Sequence, residues 1–86
     1  MPYIPRRDRS KFDHHIEALV NDDLSVGQLN YIISRMIWML WQKKRGYTLG
    51  NNLIGVLECV KAEFYRRMLA PYEDVKAQEN GDLDYE

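Results

Sequence analysis

At 86 residues and a formal net charge of −1, the chain has room for one domain and no more. Its 45 % hydrophobic and 29 % charged residues make a globular balance, which excludes intrinsic disorder as the main state. The arginine-rich start, Met1–Ser10, lacks the apolar stretch of a secretory signal, and the longest apolar run, Met36–Trp41, has six residues against the roughly 20 that cross a bilayer. Cys59 is the single cysteine, so it forms no intrachain disulfide and fits a reducing compartment. A soluble, cytoplasmic protein with no membrane contact is expected. The charge is uneven. Residues 1–71 carry eleven Lys/Arg against seven Asp/Glu, a balance of +4, and residues 72–86 carry Lys76 against six acids, a balance of −5. Such a tail is either solvated or paired with the body, or it screens a basic surface from nucleic acid.

In chain order, residues 1–9 read as an extended basic arm, because Pro2 and Pro5 fix their own φ and bias the residues before them away from helix. Ser10 and Asp13 have the spacing of a capping box, and Phe12, Ile16, Leu19 and Val20 then recur at helical intervals up to Asn21–Asp23. Ser25 with Gln28 predicts a second start. Leu29, Ile33, Met36 and Leu40 follow on one face, at steps of four, three and four, as the core stripe of a helix of about five turns. Lys43, Lys44 and Arg45 suit its C-terminal end, and Gly46 suits a left-handed cap.

A loop over Tyr47–Gly50 then leads to Asn51 or Asn52 as the cap of a third helix, whose stripe is Leu53, Leu57, Val60, Phe64 and Met68. Pro71 interrupts that pattern and suits the start of a short fourth helix running to about Gln78. Asn80–Gly81 stops it, and residues 81–86 are expected as a disordered acidic tail. The expected fold is all-α: an antiparallel hairpin of two long helices, flanked by a short helix at each end, within a single domain over residues 1–86 and a helical body over residues 10–80.

Both long helices carry a second face. Opposite the stripe of the second helix stand Tyr31, Trp38 and Trp41, and opposite that of the third stand Gly55, Cys59 and Ala62. A large aromatic gains on the order of 2–3 kcal/mol on burial, and small residues let another helix approach closely. Gly55 lowers helix propensity by about 1 kcal/mol relative to Ala, which points to a packing need. These six residues are the expected interface of a homo-oligomer, a dimer as the first expectation. The competing reading is that the two short flanking helices cover both faces within the chain.

Catalytic signatures are missing. Cys59 sits mid-helix on the small-residue face, and the only histidines, His14 and His15, adjacent on one helix, point about 100° apart and do not chelate a metal together. Helical nucleotide pyrophosphohydrolases are a fair comparison, but they need clustered carboxylates for magnesium. This chain has no Glu-x-x-Glu, and its one Glu-x-x-Asp, Glu79 to Asp82, spans the Asn80–Gly81 stop. No metal or cofactor is expected. Lys61, Tyr65, Arg66 and Arg67, with Tyr72, Glu73 and Asp74 beyond Pro71, form the densest polar cluster. Its arginines either neutralise the acids across the proline corner or present a site for an anion or a partner. Arg6, Arg7, Arg9 and Lys11 could hold phosphate backbones, although the isoelectric point near 6.1 lies far below the usual nucleic-acid footprint.

The segments Pro2–Pro5, Leu29–Ile32, Ile54–Cys59, Glu63-Phe64-Tyr65-Arg66-Arg67, Pro71-Tyr72-Glu73-Asp74 and Glu79–Asp82 resemble a family of short, uncharacterised all-helical proteins of tailed phages and prokaryotes. The similarity spans nearly the whole chain. It implies a phage or prokaryotic origin, hence a host cytoplasm if phage-encoded, and it implies no activity. The expected function is a non-enzymatic helical interaction protein, a phage accessory or regulatory factor acting as a homo-oligomer or on a host protein. The alternative is a binder of nucleotides or nucleic acid through Arg66 and Arg67 or the arginine arm.

Overall fold

A computed structural model of the chain describes residues 4–83, and every regular element among them is helical. The ends of the expected arm and tail, residues 1–3 and 84–86, lie outside the described residues. The elements are a 3₁₀ turn at Arg6–Asp8, α1 (Ser10–Leu19), α2 (Val26–Lys43), α3 (Tyr47–Phe64), a π-helical turn at Tyr65–Leu69 and α4 (Ala70–Asn80). The chain divides into two units, Met1–Gly50 and Asn51–Glu86.

In the first unit the expected arm contains the 3₁₀ turn, and the Arg9 Nε donates to the Ile4 carbonyl at 3.0 Å. That turn feeds α1 directly. Ser10 is therefore a helical residue, and Arg9 accepts the first backbone bonds, from the N–H groups of Phe12 and Asp13. Asn21 closes the following loop as its sequence suggests, with its Oδ1 accepting from the Asp23 N–H and its carbonyl from the Leu24 N–H.

The start of α2 is the reciprocal capping box. The Gln28 N–H donates to the Ser25 Oγ at 3.1 Å, and the Ser25 N–H donates to the Gln28 Oε1 at 2.9 Å. At its far end Gly46 does not take the left-handed conformation, since Gly81 is the only described residue with positive φ. The Gly46 carbonyl instead accepts from the Gly50 N–H at 2.9 Å, so α3 begins at Tyr47, and Asn51 and Asn52 lie inside it rather than capping it. The expected loop over Tyr47–Gly50 is helix, because nothing in Tyr-Thr-Leu opposes helix once Gly46 provides the first acceptor.

In the second unit α3 does not stop before Pro71. It passes through the π turn, where the Ala70 N–H donates to the Tyr65 carbonyl, five residues back. Pro71 has no N–H and its ring crowds the carbonyl four residues earlier; one wider turn relieves that crowding and lets helix continue. Gly81 then ends α4 with φ 86°, a conformation an L side chain rarely adopts.

Burial departs most from expectation. Leu53, 9 % exposed, is the one buried residue among those described. The expected core stripe of α2 stays open: Leu29, Ile33, Met36 and Leu40 are 43, 39, 57 and 47 % exposed. Phe12, Ile16, Leu19 and Val20 of the first unit, and Val60, Phe64 and Met68 of the second, are exposed as well. The stripes keep helical periodicity, and these side chains are exposed.

The capping box makes the start of α2 sensitive to one oxygen. Ser25→Ala is expected to lower stability by about 1 kcal/mol, read as a lower urea midpoint by circular dichroism, with Ser25→Asp largely restoring it.

Candidate functional site

The six residues of the expected interface fare differently. On α2, Tyr31 and Trp38 are open, with Trp38 62 % exposed. Trp41 is half-buried in its own unit, because its ring lies over Gly50: a Cβ placed there would stand 3.2 Å from Trp41 Cζ3. Trp41 is thus partly satisfied by its own chain, and Gly50 is the residue that lets it approach. On α3, Cys59 is a free, exposed thiol, Ala62 is exposed and Gly55 is half-buried. A Cβ on Gly55 would meet no atom within 4 Å, so no close approach within its own unit calls for a glycine there.

The polar cluster is built around the π turn. Glu63, the last but one residue of α3, is half-buried and stands 3.6 Å from Arg66 Nη2 and 3.7 Å from Arg67 Nη1. Both arginines therefore lie over one carboxylate inside the turn. Tyr65 bridges to α4, its hydroxyl donating to Glu73 Oε1 at 2.8 Å. That bond and the Glu73 charge push the Tyr65 phenol above its ordinary value, and the charge of Asp74 adds to the rise. Lys61 pairs with Glu58 at 3.3 Å. The Lys76 ammonium lies 5.7 Å from the Tyr72 ring centre and 3.1 Å from Glu79. The widening of the helix rotates Tyr65 and Glu73, eight residues apart, into contact; an uninterrupted α-helix read from sequence hides that pairing. Pro71 within an otherwise helical pattern was the available signal for it.

The cluster has acceptors and cations already facing one another on an exposed helix. Surface pairs of this kind contribute about 0–1 kcal/mol each. Among the described residues, no three His, Cys, Asp or Glu side chains stand together as a metal site. His14 and His15, expected to point apart, have ring centres 4.3 Å apart. No helix among the described residues is long and apolar enough to cross a membrane.

A family model, Domain of unknown function (DUF6899), matches residues 1–83. The chain belongs to that family. No curated protein and no solved structure matches it. Membership covers both units, the open faces of α2 and the π turn alike.

The Tyr65–Glu73 bond sets a pH dependence. A phenol whose folded pKa is raised stabilises the fold below its unfolded value of about 10, and that contribution is lost as pH rises through the folded value. Glu73→Gln is expected to bring the Tyr65 titration down toward the ordinary value, followed through its ring carbons by NMR.

Proposed function

We propose that this protein is a non-enzymatic helical interaction module, a phage or prokaryotic accessory or regulatory factor, which acts by having its open apolar faces covered by another protein surface. The observation that carries this reading is the exposure of Leu29, Ile33, Met36 and Leu40 on one side of α2 and of Tyr31 and Trp38 on the other. A helix that is apolar nearly all round is a buried helix. Between Val26 and Gln42 the only charge on α2 is Arg35. The three-residue connection Lys44–Gly46 suits antiparallel packing of α2 and α3 as a hairpin. Gly55, Cys59 and Ala62 give α3 a face that a neighbouring helix can approach closely, and the unexplained glycine supports that use.

The resemblance of its segments to short proteins of tailed phages supports an accessory role in a host cytoplasm. The alternative, a nucleotide or nucleic-acid binder, gains no support from the arginines of the π turn, whose guanidinium groups already stand over Glu63.

Gly55→Ala separates the readings through its sign. On an uncovered helix it should raise stability by about 1 kcal/mol through propensity alone. On a covered one it is expected to weaken association, measured by sedimentation equilibrium of the purified chain, with little or no gain in the urea midpoint. A chain that sediments as a monomer up to high micromolar concentration, retains no partner in native mass spectrometry and gains the full propensity term at Gly55 would overturn the proposal.

A further inference from the structure

We infer that the π turn at Tyr65–Leu69 is a phase-setting device: it turns α4 back by one residue relative to α3, so that the apolar stripe of α3 runs on to Tyr72, and Pro71 imposes it. The inference concerns the second unit alone. It stands whether or not another protein covers that stripe.

An α-helix turns about 100° per residue. An i→i+5 turn takes in one residue more than an α turn, so each residue beyond it falls where its predecessor would lie in an uninterrupted helix. Measured from Leu53, the side chains of Leu57, Val60 and Phe64 lie within about 40° of one line along α3. Without the wider turn, Pro71 would stand on that line and Tyr72 about 100° off it. With one residue taken up, Tyr72 comes onto the line and Pro71 moves off it.

An independent contact checks the phase. Tyr65 and Glu73 would lie about 80° apart around an uninterrupted helix, and the π turn reduces this to about 20°. The Tyr65 hydroxyl indeed donates to Glu73 Oε1 at 2.8 Å. The same rotation fixes where the apolar line ends. The next turn brings Lys76 and Glu79 to it, paired at 3.1 Å, with the Lys76 ammonium 5.7 Å from the Tyr72 ring centre.

Pro71 is the cause and the phenol bond its consequence. In an α ladder the proline ring would press on the carbonyl four residues back and offer it no donor. The Ala70 N–H bonds to the Tyr65 carbonyl instead of that of Arg66, which opens the turn just ahead of the ring. The Tyr65–Glu73 bond lies on the exposed surface, where water competes for both groups, so it reports the phase without setting it.

The test follows two NMR readouts in the full chain: which carbonyl the Ala70 N–H couples to across its hydrogen bond, and the contact between the Tyr65 ring and the Glu73 side chain. Pro71→Ala should move the coupling from the carbonyl of Tyr65 to that of Arg66 and abolish the contact. Tyr65→Phe should leave the coupling at residue 65. A third variant guards against simple loss of structure. Deleting Arg66 in the Pro71→Ala background sets Tyr65 and Glu73 seven residues apart in an uninterrupted helix, and the contact should return. A coupling that stays at Tyr65 in Pro71→Ala, one that moves in Tyr65→Phe, or a contact that the deletion fails to restore would each overturn the inference. None of these outcomes bears on the interaction reading, which rests on α2.

Discussion

The constraint on which everything else depends is the circumference of α2. Eleven of its eighteen residues are apolar, and they leave only a narrow polar sector around Gln28, Arg35 and Gln42. Apolar surface gains roughly 25 cal/mol per Å² on leaving water, so a helix with this composition is driven to acquire neighbours on most sides. α1 has ten residues and α4 eleven, and both keep their own large apolar side chains exposed. The proposal that α2 is one part of an assembly starts from that demand.

The π turn answers a separate local problem and ends in a surface feature. Pro71 would break an α-helix, and the wider turn at Tyr65–Leu69 absorbs the missing donor while keeping the chain helical into α4. Its by-product is the ordered array of Glu63, Arg66, Arg67, Tyr65 and Glu73, held by bonds between residues that a regular helix would separate. Such an array is polar and lies on an exposed helix surface.

Much of the local structure was legible in the residues. The Ser25–Gln28 box starts α2, Asn21 closes the first loop and Gly81 ends the last helix, each because a side chain or a missing Cβ decides a backbone choice nearby. What was hidden depended on residues further apart or on competition between neighbours. Gly46 reads as a cap for α2 and serves instead as the first acceptor of α3, so the loop before Asn51 vanishes. Trp41 reads as interface with Trp38, yet the bare backbone of Gly50 lets its ring settle within the chain. The stripe Leu29–Ile33–Met36–Leu40 reads as a core face and is exposed in the structure, because periodicity reports that a face needs a partner without saying whose.

The most direct measurement is hydrogen–deuterium exchange of the α2 amides at two protein concentrations. If cover for this helix comes from outside the chain, protection across residues 29–40 rises with concentration and collapses on dilution, while the local turn at Tyr65–Leu69 changes little. Protection of those amides that is strong and the same at every dilution would contradict the account, because the helix would then be stable on the strength of its own chain.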